Sequence, residues 1–153
     1  MVEIRQIAPT DAEEVSLLIT QLGYQRTLEQ VLQWIAAIDT RQQVAFVATL
    51  EGVVVGWIEI AVVHHLQSAP YALIGGLVVK DGIRGKGVGR SLCERAETWA
   101  WSVGVDTVRV TSRSSRIQAH RFYLRDGYRI DKTSLVFEKK AGPKKRVEKL
   151  PEA

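Results

Sequence analysis

The 153-residue chain has one cysteine, Cys93, so no disulfide can form within it. Its three histidines make no Cys/His cluster, which argues against a structural zinc site; no metal is expected. No apolar run reaches the roughly 18 residues needed to span a bilayer. The start, MVEIRQIAPTD, carries acids early and lacks the apolar stretch of a signal peptide. These absences lead to the expectation of a soluble chain in a reducing compartment, the cytoplasm, with no membrane partner. Internal repeats are missing too. Hydrophobic residues make up 46% and charged residues 25%, an average globular balance that excludes collagen, a coiled coil and a wholly disordered chain. A chain of this length buries about two thirds of its unfolded surface, enough for one core without staples.

The pattern that remains is mixed. Val2 and Ile4 alternate in a first strand. Thr10-Asp11-Ala12-Glu13 has capping-box spacing, and Val15, Leu18, Ile19 and Leu22 follow at helical spacing up to Gly23. Thr27-Leu28-Glu29-Gln30 repeats the capping pattern before Val31, Leu32, Trp34, Ile35 and Ile38. Residues 44–50 and 53–63 are rich in β-branched side chains and are separated by Glu51 and Gly52, a hairpin signal. Residues 72–79 predict a strand buried on both faces, and 107–111 another. A helix is expected from Val88 to Val103 and a shorter one over 115–126; residues 128–130 and 135–139 read as final strands. The order is β-α-α-β-β-β-α-β-α-β-β.

The most informative segment runs from Leu77, Val78 and Val79 through Arg84, Gly85, Lys86, Gly87, Val88, Gly89 and Arg90. A strand enters three alternating glycines and passes directly into a helix. Glycine admits positive φ and close backbone approach. Successive N–H groups at a helix N-terminus make a cradle for phosphate oxygens. A P-loop would need Gly-Lys-Ser/Thr, and Gly89-Arg90-Ser91 lacks the lysine. A dinucleotide turn would need G-x-G-x-x-G, and the last gap here is one residue short. Arg-x-x-Gly-x-Gly is satisfied by Arg84, Gly87 and Gly89.

With that motif, and with Ala119-His120-Arg121-Phe122-Tyr123 followed by Asp126-Gly127-Tyr128 about 30 residues on, the sequence resembles the GCN5-related N-acetyltransferase (GNAT) superfamily over residues 2–139. The resemblance implies an α/β (α+β) fold, with a mixed, partly splayed central sheet of about six to seven strands flanked by about four helices. Residues 1–140 would form one acetyltransferase domain. It implies acetyl-CoA as cosubstrate and a primary amine as acceptor, either a small cationic amine or a peptide or protein amine, joined by direct attack through a tetrahedral intermediate. By family position Tyr123 is the acid that protonates the leaving thiolate, which a phenol of pKa about 10 can do. Backbone atoms of Leu77 and Val79 would meet the pantetheine arm, with a main-chain N–H near Val79 as oxyanion donor. Arg116 stands where the family often has asparagine; it would either reach a CoA phosphate or carbonyl or sit in solvent.

Relatives of this pattern often carry an acid about where Gly75 stands, and Ile74-Gly75-Gly76 has none. Glu59 on a neighbouring strand is the best remaining carboxylate, either a base or an outward solvated residue; His64 and His65 are further candidates. The alternative to an enzyme is a non-catalytic module that holds acyl-CoA.

The net charge of +4 and a pI of about 9.4 hint at a polyanion partner. By segment, residues 1–79 hold three Lys/Arg against eight Asp/Glu, and residues 80–132 hold twelve against six. Residues 133–138 add one acid, and 139–153 hold six against two. The excess thus belongs to the residues after Glu138, most of them the Lys-rich tail expected over 141–153, and the body, 1–138, is neutral but polarised. A cationic amine acceptor fits the acidic half, and one CoA fits the basic half better than a nucleic acid does. Oligomeric state stays open, a homodimer included.

Overall fold

The central hairpin shows how local chemistry builds this chain. In the computed structural model, which describes residues 1–83 and 85–143, strands β2 (Gln43–Leu50) and β3 (Val53–Val63) pair antiparallel. Between them Glu51 (φ 50°) and Gly52 (φ 81°) both take left-handed conformations. That matches the turn whose twist suits two adjacent strands. β1 (Val2–Gln6) adds to β2, and β4 (Tyr71–Val79) adds to β3, both antiparallel. β5 (Val108–Val110) lies parallel to β4, giving the order β1-β2-β3-β4-β5. A mixed sheet flanked by helices is the architecture the sequence predicts.

Helices cover both faces. On one, α1 (Ala12–Leu22) and α2 (Leu28–Ala36) pack Val15, Leu18 and Val31 against Val47, Val54, Trp57 and Val78. On the other lies α3 (Val88–Ser102), which buries Val88, Leu92, Cys93, Ala96 and Ala100. Side chains alternate faces along a strand, so Trp57 turns toward α1 while its neighbour Gly56 turns toward α3. A Cβ on Gly56 would stand 3.1 Å from Leu92 Cδ1 and 3.3 Å from Val88 Cγ1. The missing side chain is what lets α3 seat this closely on the sheet.

Two caps divide the outcome. The Thr27 box forms: its hydroxyl accepts from the Gln30 N–H at 3.1 Å and Gln30 Oε1 accepts from the Thr27 N–H at 2.9 Å. Thr10 does not cap α1. Instead residues Pro9–Asp11 form a turn of 3-10 helix, and the Asp11 carboxylate accepts from the Ala8 N–H at 2.8 Å and both Arg5 guanidinium nitrogens at 2.8 Å. A charged partner within reach holds the carboxylate, and no hydroxyl is needed there.

Three further expectations change. The sheet has five strands among the described residues, below the six to seven predicted. Residues 128–130 and 135–139 are not strands, because β propensity makes a strand only where a ladder partner is met. Leu135, Val136 and Phe137 are instead highly exposed. β4 is not buried on both faces: Ala72, Ile74 and Val78 are buried, and the residues between them are half-buried or exposed.

The chain forms two compact units, Met1–Ser112 and a second that begins at Arg113. The second contains α4 (Ile117–Arg125), which ends at Asp126 and turns at Gly127 (φ 94°). The tail expected over 141–153 lies outside the described residues from 144 on. Among the described residues, no helix is long and apolar enough to cross a membrane.

Candidate active site

The sheet opens along β4. Its first half pairs on both sides, with β3 and, over Ala72–Ile74 alone, with β5. Past Gly76 only β3 remains beside it. The Lys80 N–H donates to the Val55 carbonyl at 2.8 Å, and bonding groups alternate sides along an antiparallel ladder. The main-chain groups of Val78 therefore turn to β3, and those of Leu77 and Val79 turn away from it, toward the open side. Val78 also buries its side chain in the core. Of the three expected contacts on this strand, Leu77 and Val79 turn their main-chain groups to the side away from β3, and Val78 does not.

Beyond Val79 the glycine-rich turn begins. The Ile83 N–H donates to the Lys80 carbonyl at 3.1 Å, closing a turn. Gly85 (φ 86°) and Gly87 (φ 78°) are left-handed, a conformation that side chains disfavour. Gly87 is the N-cap of α3 and supplies no side-chain cap, so the first N–H groups of the helix stay open to an anion. Gly89 lies inside α3, so the third alternating glycine is not a turn residue. Val88 is buried and offers its backbone alone. Lys86 is exposed at the turn. Arg90 pairs with Glu94 one helical turn on, at 3.1 Å, with both side chains exposed. Arg84 lies outside the described residues.

Glu59 is the carboxylate this region holds. It follows Trp57 by two on β3, so it shares the face that α1 and α2 cover. The register breaks beside it: Glu59 faces Gly76, Ile60 faces Ile74, and Gly75 is the extra residue of a bulge. The two glycines make a niche. A Cβ on Gly75 would sit 3.1 Å from Glu59 Oε1, and one on Gly76 would sit 2.5 Å from Trp57 Cη2 and 3.6 Å from Glu59 Oε1. The position that lacks an acid thus gives its space to an acid from the next strand. Glu59 is half-buried, and burial raises its pKa above the ordinary carboxylate range; a hydrogen bond from the Gln43 side chain opposes this. Glu59 is therefore not an outward solvated residue. Gly76 lies three residues before Val79, roughly 10 Å along the strand.

The other candidates fall elsewhere. His64 contacts Gln42 Oε1 at 3.2 Å and His65 contacts the Tyr71 hydroxyl at 3.1 Å. Both sit at the Tyr71 end of β4, roughly 25 Å along the strand from Val79. In the second unit, Tyr123 is half-buried on α4, with edge-on contacts to Phe122 and Tyr128 at centroid distances of 5.2 and 5.6 Å. Arg116 is the exposed N-cap of α4, and its carbonyl accepts from the His120 N–H at 3.2 Å. Sequence reasoning passed over Gln43, which is remote from Glu59 in the chain. It also passed over Gln21, whose amide reaches from α1 to the main chain at both Val79 and Asp81. No motif flags either glutamine. The adjacent Gly75 and Gly76 were the one signal that something large packs there.

An open sheet end leading through a glycine turn to an uncapped helix is the arrangement of a mixed α+β acyl-transfer fold. The acetyltransferase (GNAT) family model matches residues 7–128, and the chain belongs to that family. An aminoalkylphosphonate N-acetyltransferase of Salmonella typhimurium (strain LT2) is 37% identical over 83 residues, 54% of each chain. The match thus spans about half the length of that relative. Two solved structures share the fold. The aminoglycoside N-acetyltransferase AAC(6')-Iy in complex with CoA has a TM-score of 0.80 at 19% identity, over 92% of this chain and 96% of that one. The aminoglycoside 6'-N-acetyltransferase AAC(6')-Ih of Acinetobacter baumannii has a TM-score of 0.78 at 17% identity, over 93% and 100%.

Proposed function

We propose that this chain moves an acetyl group from acetyl-CoA to the primary amine of a small cationic acceptor. The observation that carries the reading is Glu59, seated against Gly75 and Gly76 beside the open end of β4. A carboxylate whose proton affinity is raised by burial is suited to taking a proton from an ammonium group. The neutral amine then attacks the thioester carbonyl, forming the N–C bond. The Val79 N–H, which faces away from β3, receives the developing oxyanion. Collapse breaks the C–S bond, and the Tyr123 phenol gives its proton to the departing thiolate.

CoA phosphates would rest on the N–H groups of residues 85–90, with Arg84, Lys86 and Arg90 adding charge; the family resemblance implies a cosubstrate contact for Arg116 as well. The pantetheine arm would run along Leu77 and Val79 as an added strand. The catalytic unit in this reading is residues 1–140, working in the cytoplasm without a membrane or nucleic-acid partner.

Residues 1–79 hold three Lys/Arg against eight Asp/Glu, which supports a cationic acceptor. The named relatives act on aminoalkylphosphonates and aminoglycosides, both of them amines. A CoA-release screen separates the choices by setting polyamines and aminoglycosides against amino acids and an aminoalkylphosphonate. Release with the polycations is expected. Preference for an anionic amine would overturn the acceptor class. Acetyl-CoA binding with no release for any amine would favour a holding module over an enzyme.

A further inference from the structure

We infer that Gln21 is a positioning residue for the CoA-binding turn, acting as a two-ended latch between α1 and the end of β4. The inference rests on the proposal that Val79 and the N–H groups of residues 85–90 hold the cosubstrate. Gln21 sits in the last turn of α1, two residues before the left-handed Gly23 that ends the helix. Its Nε2 donates to the Val79 carbonyl at 2.9 Å, and its Oε1 accepts from the Asp81 N–H at 2.8 Å. One planar amide therefore fixes two main-chain groups on either side of Lys80. Lys80 itself is held from the opposite side, its N–H donating to Val55 of β3 at 2.8 Å. Three consecutive residues are pinned just where the strand leaves its ladder and the glycine turn starts.

The latch has a chemical consequence as well. Val79 lies on the open side of β4, so its carbonyl is one of the groups a pantetheine amide would otherwise use. Gln21 occupies that carbonyl and leaves the Val79 N–H as the group directed at the ligand. The glycines downstream resist collapse poorly, since glycine has the most backbone freedom to lose. Without the latch, the turn samples more conformations before CoA binds, and the ordering cost falls on binding.

Two variants test this. Gln21→Met keeps the length and removes both bonds. Gln21→Glu keeps an acceptor for Asp81 but sets a carboxylate oxygen against the Val79 carbonyl. Calorimetric titration with CoA, kcat and KM for acetyl-CoA, and thermal unfolding are measured on the full chain. Gln21→Met is expected to weaken CoA binding about tenfold and raise KM in step, with kcat falling about twofold at most. Gln21→Glu is expected to weaken binding further. A lowered melting temperature with unchanged CoA affinity in either variant makes Gln21 a packing residue and overturns the inference. A loss in kcat with unchanged KM also overturns it. If the unaltered chain binds no CoA, the proposed function fails and the latch with it; if the unaltered chain binds and Gln21→Met binds equally well, the latch alone fails.

Discussion

Two carboxylates, Asp11 before α1 and Glu59 on β3, show how surroundings decide what a buried acid does. Asp11 is almost wholly buried, yet its pKa falls below the ordinary range. The Arg5 guanidinium meets it with two bonds of 2.8 Å, and the Ala8 N–H adds a third. Glu59 is only half-buried, yet its pKa rises, because burial disfavours its charge and, among the described residues, its one resolved partner is the neutral amide of Gln43. The first acid is spent on holding β1 to the helical turn. The second sits in a niche that two glycines hold open, where the proposed mechanism uses its raised proton affinity. Burial does not distinguish structure from chemistry here; the partner does.

The largest expected effect breaks the pair at Glu59. Glu59→Gln preserves shape and the contact with Gln43 but cannot accept a proton. Turnover at saturating acetyl-CoA should fall by about 100-fold or more, within the range of a lost general base, while urea unfolding shows equal or higher stability. Next in size is the niche itself. Gly76→Ala brings a methyl group to 2.5 Å from Trp57 Cη2, so the ring or the strand must move; overpacking of this kind costs about 1–3 kcal/mol by equilibrium unfolding.

The smallest effect sharpens the other side. Asp11→Asn loses the ion pair, but Arg5 is 46% exposed and water replaces part of what is lost. About 1–2 kcal/mol is expected. The sign with pH follows from the lowered pKa. Asp11 contributes stability above its unfolded pKa, near 3.9, and that stability is lost as pH falls through the folded value. Asp11→Asn should therefore flatten the acid limb of the stability curve. Glu59 works the other way: its raised pKa makes ionisation cost stability as pH climbs past the unfolded value near 4.3.

Much of this was legible in the sequence because the signals are local. The Glu51 and Gly52 turn and the Thr27 cap each rest on residues a few positions apart and appear as read; the strand-glycine-helix passage is there too, with Gly89 inside the helix instead of the turn. The open sheet was implied by family resemblance, and the short β4–β5 pairing fits it. What stayed hidden depends on register. Glu59 pairs with Gly76 because the bulge at Gly75 resets the register by one residue, and no periodicity in β3 reports a bulge in β4. Gln21 acts across about 60 positions of chain, and a surface-like glutamine on an amphipathic helix gives no sign of it. The last two strands failed for the converse reason: their local pattern is right, and no ladder partner meets them.

The central claim is that Glu59, raised in pKa by its niche, is the group that takes the amine's proton. The direct measurement is the pH dependence of kcat/KM for acetyl transfer, in the unaltered chain and in Glu59→Gln, with one cationic acceptor. The account predicts an acidic limb in the unaltered chain, displaced above the ordinary glutamate range, and its disappearance in Glu59→Gln together with the loss of turnover. The same limb at the same pH in both proteins would contradict it.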